Sequence, residues 1–162
     1  MEDVLDLYAE PADPQRPIVC LDEKLVMLHA DTRPTLPVAP GHGERVDYEY
    51  ERVGTANLFV VVDPHAGWRH VSVTEQRTRL DYARQLQWLA DECYPDAEVI
   101  RLVQDNLNTH RLANLYLAFP AEEARRLVKR FAVHYTLKHG SCAKRSAGAI
   151  GAGNFRAALA IP

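Results

Sequence analysis

Apolar residues recur along this chain with two periods, and the change from one to the other divides it into an early strand-rich part and a later mixed part. Pro17 to Asp22 is a short apolar run, Ile18-Val19-Cys20-Leu21, closed by an acid, and it reads as a buried strand. Lys24 to Ala30 reads as a second strand paired with the first. Pro34, Pro37, Pro40, Gly41 and Gly43 then impose a long loop. Charged and apolar residues alternate in Arg45 to Val53, and Asn57 to Val62 is a β-branched and aromatic run. Trp68 to Thr74 alternates again after the turn Asp63-Pro64-His65-Ala66-Gly67. These segments predict a strand meander with a hairpin.

From Thr78 the spacing becomes helical. Leu80, Ala83, Leu86, Trp88, Leu89 and Ala90 form a stripe that Tyr94-Pro95 ends. Glu98 to Gln104 predicts a further strand, and Asn108 or Thr109 is placed to cap a helix through Leu112, Leu115 and Leu117. Ala121 to Arg130 reads as another helix and Phe131 to Tyr135 as a last strand. Several antiparallel strands followed by helix, strand, helix and strand define an α/β class. Leu5 to Arg16, with Pro11, Pro14 and scattered acids, reads as a lead-in segment, and no internal repeat is visible.

Composition narrows the class. At 162 residues, 47% hydrophobic and 25% charged, the chain is long enough for one domain with a real core and is unlike disordered or fibrous sequences. No apolar stretch approaches the roughly 18 to 20 residues that cross a bilayer. The acidic start, Met1-Glu2-Asp3-Val4, is unlike a signal peptide, so a cytoplasmic protein without membrane partners is expected. Cys20, Cys93 and Cys142 lack paired spacing and read as reduced structural residues rather than a zinc site. The net charge of −3 conceals an asymmetry. From Glu122 onward eight Lys or Arg face two Glu, giving +6, and the first 121 residues carry −9. Arg125, Arg126, Lys129 and Arg130 crowd one helical stretch, which is either a phosphate-contacting face or a solvated one.

The candidate chemistry rests on Asp22 and Asp105, each closing an apolar strand where its carboxylate would be delivered to a cleft. Taken alone, each is a turn or capping residue by default. Their contexts, Cys20-Leu21-Asp22-Glu23-Lys24, Gly54-Thr55-Ala56-Asn57-Leu58-Phe59, Asp105-Asn106-Leu107-Asn108-Thr109-His110 and His134 to Ser141, reverse that default. In order and spacing these segments resemble the catalytic domain of DDE transposases, specifically the bacterial insertion-sequence branch of the mariner-like superfamily. The resemblance implies a ribonuclease-H-like, retroviral-integrase-like mixed sheet flanked by helices. It also implies cleavage and strand transfer of DNA at transposon ends, with Mg2+ or Mn2+ held by Asp22 and Asp105 as catalytic and metal ligands. Oxygen ligands suit those ions.

Around that pair, Asn108 and His110 either line the cleft or serve as a helix cap and a partly exposed histidine. Lys138 and His139 either meet phosphate or lie on a surface loop. Glu23 would point to the opposite side of a continuing strand from Asp22, a poor position for a substitute ligand. In the family, the Gly-Ser pair corresponding to Gly140-Ser141 precedes Trp-Leu-Asn and then a third acid, here expected near Ala147. This chain continues instead as Cys142-Ala143-Lys144-Arg145-Ser146-Ala147.

The abrupt break suggests a changed reading frame. A lead-in segment at 1–16, an incomplete catalytic domain at 17–141 with its C-terminal part truncated, and a divergent, disordered tail at 142–162 are the expected organisation. Gly148, Gly151 and Gly153 have no preceding strand of the kind a phosphate-cradling loop requires. Nothing before Pro17 is long enough for a helix-turn-helix reader. The resulting expectation is an impaired transposase acting on DNA, alone, as a homodimer or beside an intact transposase. The alternatives are a weak residual nuclease and a non-enzymatic fragment that regulates an intact transposase by binding it or DNA.

Overall fold

The computed structural model describes residues 2–33, 36–44 and 49–136 of the chain. Five strands form one mixed sheet: β1 (Ile18–Asp31), β2 (Tyr50–Asp63), β3 (Trp68–Thr74), β4 (Ile100–Gln104) and β5 (Phe131–Tyr135). Their order is β3-β2-β1-β4-β5. β1, β2 and β3 pair antiparallel, and β4 and β5 join parallel to β1 and to each other. Helices α1 (Glu2–Ala9), α2 (Arg79–Trp88), α3 (Leu115–Ala118) and α4 (Ala121–Lys129) flank it. The expected ribonuclease-H-like mixed sheet flanked by helices is therefore present.

Two expectations about the strands change. Lys24 to Ala30 is not a separate strand, because β1 runs unbroken for 14 residues and pairs with β2 from Cys20 opposite Val62 to Asp31 opposite Tyr50. Arg45 to Val53 and Asn57 to Val62 likewise merge, from Tyr50 onward, into the single β2, and Arg45 to Tyr48 lie outside the described residues. The register shifts between Leu28 and His29, which pair with Gly54 and Arg52 and leave Val53 as the extra residue. Such a bulge lets a strand continue through a glycine that would otherwise mark its end.

The lead-in segment carries α1, whose Val4 and Leu7 are buried on one face of the sheet with Ile18, Cys20, Val62 and Val103. Spacing by three and four residues at Val4, Leu7 and Tyr8 supplies the apolar face of this short helix. The opposite face holds the larger core, where Val19, Leu21, Phe59, Val61, Ile100 and Leu102 meet α2, α3 and α4. Thr78 caps α2 through a capping box with Asp81, matching the predicted change of period at that residue. A π-helical turn, Leu89–Cys93, then ends the helix. Arg130 stabilises that turn by donating to the carbonyls of Ala90, Tyr94 and Pro95. Among the described residues, no helix is long and apolar enough to cross a membrane.

Candidate active site

Parallel pairing of β1 with β4 sets Ile18 beside Arg101, Val19 beside Leu102 and Cys20 beside Val103. Continuing that register by two residues sets Asp22 beside Asp105, at the carboxyl end of β4. Two residues 83 positions apart thus lie on neighbouring interior strands, each two positions beyond the last paired residues, Cys20 and Val103. Both are partly buried, and the backbone N–H of Glu23 donates to Asp22 Oδ1 at 2.9 Å.

Alternation along β1 divides its acids. Asp22 follows Ile18 and Cys20 on the face covered by α1, whereas Glu23 follows Val19 and Leu21 on the face covered by α2. The Glu23 side chain is 2% exposed and the His110 side chain 1%. His110 Nε2 lies 2.8 Å from Glu23 Oε1, and its Nδ1 lies 2.5 Å from Asp105 Oδ1. Neutral imidazole has only one N–H, so two carboxylate acceptors are served by the protonated ring, donating from both nitrogens. Burial by itself lowers the His110 pKa, but the hydrogen bonds and charges of Glu23 and Asp105 more than reverse this and raise it. Tyr82 stacks on the imidazole with ring centroids 5.0 Å apart and donates through its hydroxyl to Gln104 Oε1 at 2.8 Å. Burial holds that phenol in its neutral, donating form by raising its pKa. Gln104 Nε2 in turn donates to the His110 carbonyl at 3.0 Å. A chain of contacts from α2 through β4 and β1 therefore fixes one oxygen of Asp105, whose side chain remains 35% exposed.

Residues 106–111 turn back from the sheet, and His110 N–H closes that turn on the Leu107 carbonyl at 2.9 Å. Asn108 and Thr109 do not cap the following helix. A 3-10 turn at Leu112–Asn114 begins instead after Arg111, with no side-chain cap. Of the two sequence alternatives for His110, cleft lining or a partly exposed histidine, the exposed one is not found: the ring is buried between two carboxylates. Asn108 is exposed beside the turn and lines an open cleft. Lys138 and His139 lie outside the described residues, as do Ser141, the position near Ala147 and the 142–162 tail. The sequence has no Asp or Glu after Glu123. Of the basic stretch, Arg126 is held by Asp91 and Glu123 and Arg130 by backbone carbonyls, so these two guanidinium groups serve the fold.

Sequence reading missed the Glu23–His110 bond and the roles of Tyr82 and Gln104. The opposite sidedness of Asp22 and Glu23 was the available signal, but it did not identify the partner across 87 residues. Among the described residues, no group of three or more His, Cys, Asp or Glu side chains has the arrangement of a metal site. Two hard carboxylate donors, partly exposed and carried by neighbouring strands, fit part of a ligand set for a hard divalent cation.

Residues 17–141 match the model of a family described as DDE superfamily endonuclease. No curated protein matches the chain. Among solved structures, the chain is similar to the Mos1 strand transfer complex at 19% identity. That match covers 86% of this chain and 39% of the other, with a TM-score of 0.48. It is also similar to the mariner Mos1 paired end complex with Mg at 21% identity, covering 86% of this chain and 40% of the other, with a TM-score of 0.45. The chain thus spans about two fifths of the length of these structures. With most of its sequence, including Asp22, Asp105 and the strands that carry them, inside the matched segment, the chain belongs to the DDE superfamily endonuclease family.

Proposed function

We propose that this chain is the catalytic domain of an insertion-sequence transposase that processes DNA phosphodiester bonds at transposon ends, at a reduced rate. The observation that supports this reading is the β1–β4 register, which pairs Cys20 with Val103, two residues before Asp22 and Asp105, inside the family-matched segment. Asp22 and Asp105 would hold Mg2+ or Mn2+. When bound, such ions supply Lewis-acid stabilisation of the attacking and leaving oxygens of a phosphodiester. His110 orients Asp105 by occupying Oδ1, leaving Oδ2 for the cleft. Glu23 does not replace the missing third acid, because it is buried on the opposite face from Asp22 and its Oε1 accepts from His110. Without a third carboxylate, the expected rate is on the order of 10²-fold or more below that of a complete site, as for other displaced catalytic groups.

Calorimetric titration with Mg2+ and Mn2+ of the parent chain, Asp22→Asn and Asp105→Asn tests the site. Binding in the parent that disappears in both variants is expected, followed by metal-dependent nicking of duplex DNA. A folded parent that binds neither ion contradicts the proposed metal site.

A further inference from the structure

Beside the Asp105 turn lies an open cleft of about 360 Å³, lined by Arg79, Asn108, Arg111, Ala113, Asn114 and Leu117. Among the described residues no carboxylate lines it, although the first 121 residues carry a net charge of −9. Arg79 is the first residue of α2, and Arg111 follows His110 in extended backbone with φ −121° and ψ 132°. In extended backbone successive side chains leave opposite sides. His110 therefore turns inward to Glu23 and Asp105 while Arg111 turns outward to the cleft. Both arginines are exposed, and among the described residues neither guanidinium has an ion-pair or hydrogen-bond partner. Elsewhere, Arg101, Arg126 and Arg130 are each committed to carboxylates or carbonyls.

Two guanidinium groups without a partner among the described residues, with the Asn108 amide beside them, suit a phosphate group, which guanidinium binds in a two-pronged geometry. The Asn114 amide is already directed to the Thr109 carbonyl at 2.7 Å, which braces the turn without occupying either arginine. Ala113 and Leu117 add apolar wall suited to a sugar face. Asn108 is three residues from Asp105, so the cleft margin lies within about 11 Å of that aspartate along the chain. We propose that this cleft seats a phosphodiester group of a DNA strand, adjacent to the phosphodiester presented to Asp22 and Asp105. This assignment rests on the reading of the chain as a DNA-processing domain.

Fluorescence anisotropy of a labelled duplex oligonucleotide tests it, with the whole chain titrated at several salt concentrations without divalent ions. Arg79→Ala and Arg111→Ala are each expected to weaken binding about fivefold. Each should also reduce the slope of log affinity against log salt by about 0.9, the value for one lost phosphate contact on duplex DNA. Arg84→Ala, which alters an exposed arginine paired with Asp81, is the control and should leave the slope unchanged. A parent that binds DNA while both cleft variants retain its affinity and slope overturns the cleft assignment alone. A folded parent that binds no duplex even at low salt overturns the assignment together with the DNA reading beneath it. Calorimetry with inorganic phosphate forms a separate arm. Phosphate binding lost in both cleft variants, in a parent that ignores DNA, identifies a free-anion site and also overturns the proposal.

Discussion

Adjacent acids on β1 meet opposite fates on the two faces of the sheet. Glu23 enters the larger core, where His110 supplies a buried cation and Tyr82 covers the ring. Asp22 stays on the smaller face, partly accessible, on the strand that neighbours the one leading to Asp105. A buried carboxylate requires a charged partner, whereas a partly solvated one can remain available for a ligand. The contrast separates an acid locked into the core by an ion pair from one that remains partly exposed at its margin. Asp105 stands between them, with Oδ1 on the buried histidine and a side chain still reachable from outside.

Removing the buried cation is the most severe way to break this contrast. His110→Ala leaves Glu23 buried without its partner, and a cost of about 3 to 5 kcal/mol is expected in urea unfolding. Asp22→Asn is expected to change stability by less than about 1 kcal/mol, as at a partly exposed position. Glu23→Gln combined with His110→Ala should cost less than the sum of the single changes, since the stranded charge is gone. Additivity in that cycle, or a small effect of His110→Ala, would remove the distinction between the two faces.

The strands and the second helix were legible because their patterns agree with their burial. Trp68–Thr74 and Phe131–Tyr135 fall at the positions that alternation and apolar content predict, and α2 begins after the residue where the period changes. The continuity of β1 was obscured by the acids and lysine in Asp22-Glu23-Lys24. Those residues resemble a strand end until pairing with β2 and β4 is known. The helix α1 was hidden by its length, since eight residues give little periodic signal and its stability comes from docking Val4 and Leu7. At the site, resemblance supplied Asp22 and Asp105 as candidates. The Glu23–His110 contact joins residues 87 positions apart, and only the folded sheet identifies that pairing.

The apolar cores provide the next comparison. Leu86, fully buried between α2 and the sheet, should lose about 2 to 5 kcal/mol on substitution by alanine. Leu7→Ala should fall near the lower end of that range, because α1 is short and can shift toward the gap. Equal costs in chemical denaturation would mean that the smaller face is as tightly packed as the larger. Tyr82→Phe probes the polar layer without opening a cavity. Loss of the hydroxyl strands Gln104 Oε1 in the core, for an expected cost of about 1 to 3 kcal/mol. An unchanged unfolding midpoint would show that Gln104 finds another donor there.

The smallest effect calibrates what a carboxylate–cation contact contributes outside the core. Arg126 grips Asp91 with two hydrogen bonds of 2.7 and 2.8 Å, but its side chain is 43% exposed. Hydrogen bonding by Arg126, aided by its charge and that of Arg130, lowers the Asp91 pKa despite the opposing effect of burial. Solvent screening limits the expected contribution to about 0.5 kcal/mol, well below the effect of His110. Because the folded pKa lies below the unfolded one, this contribution is present above the ordinary carboxylate range and disappears as pH falls through the depressed folded value. Asp91→Asn should therefore be slightly less stable than the parent at pH 7, with the difference closing at strongly acidic pH. Denaturation at pH 7 and at successive acidic values reads this directly. A difference that widened with acid would contradict the assigned ion pair, since protonation removes from the parent the same charge that the substitution removes from the variant.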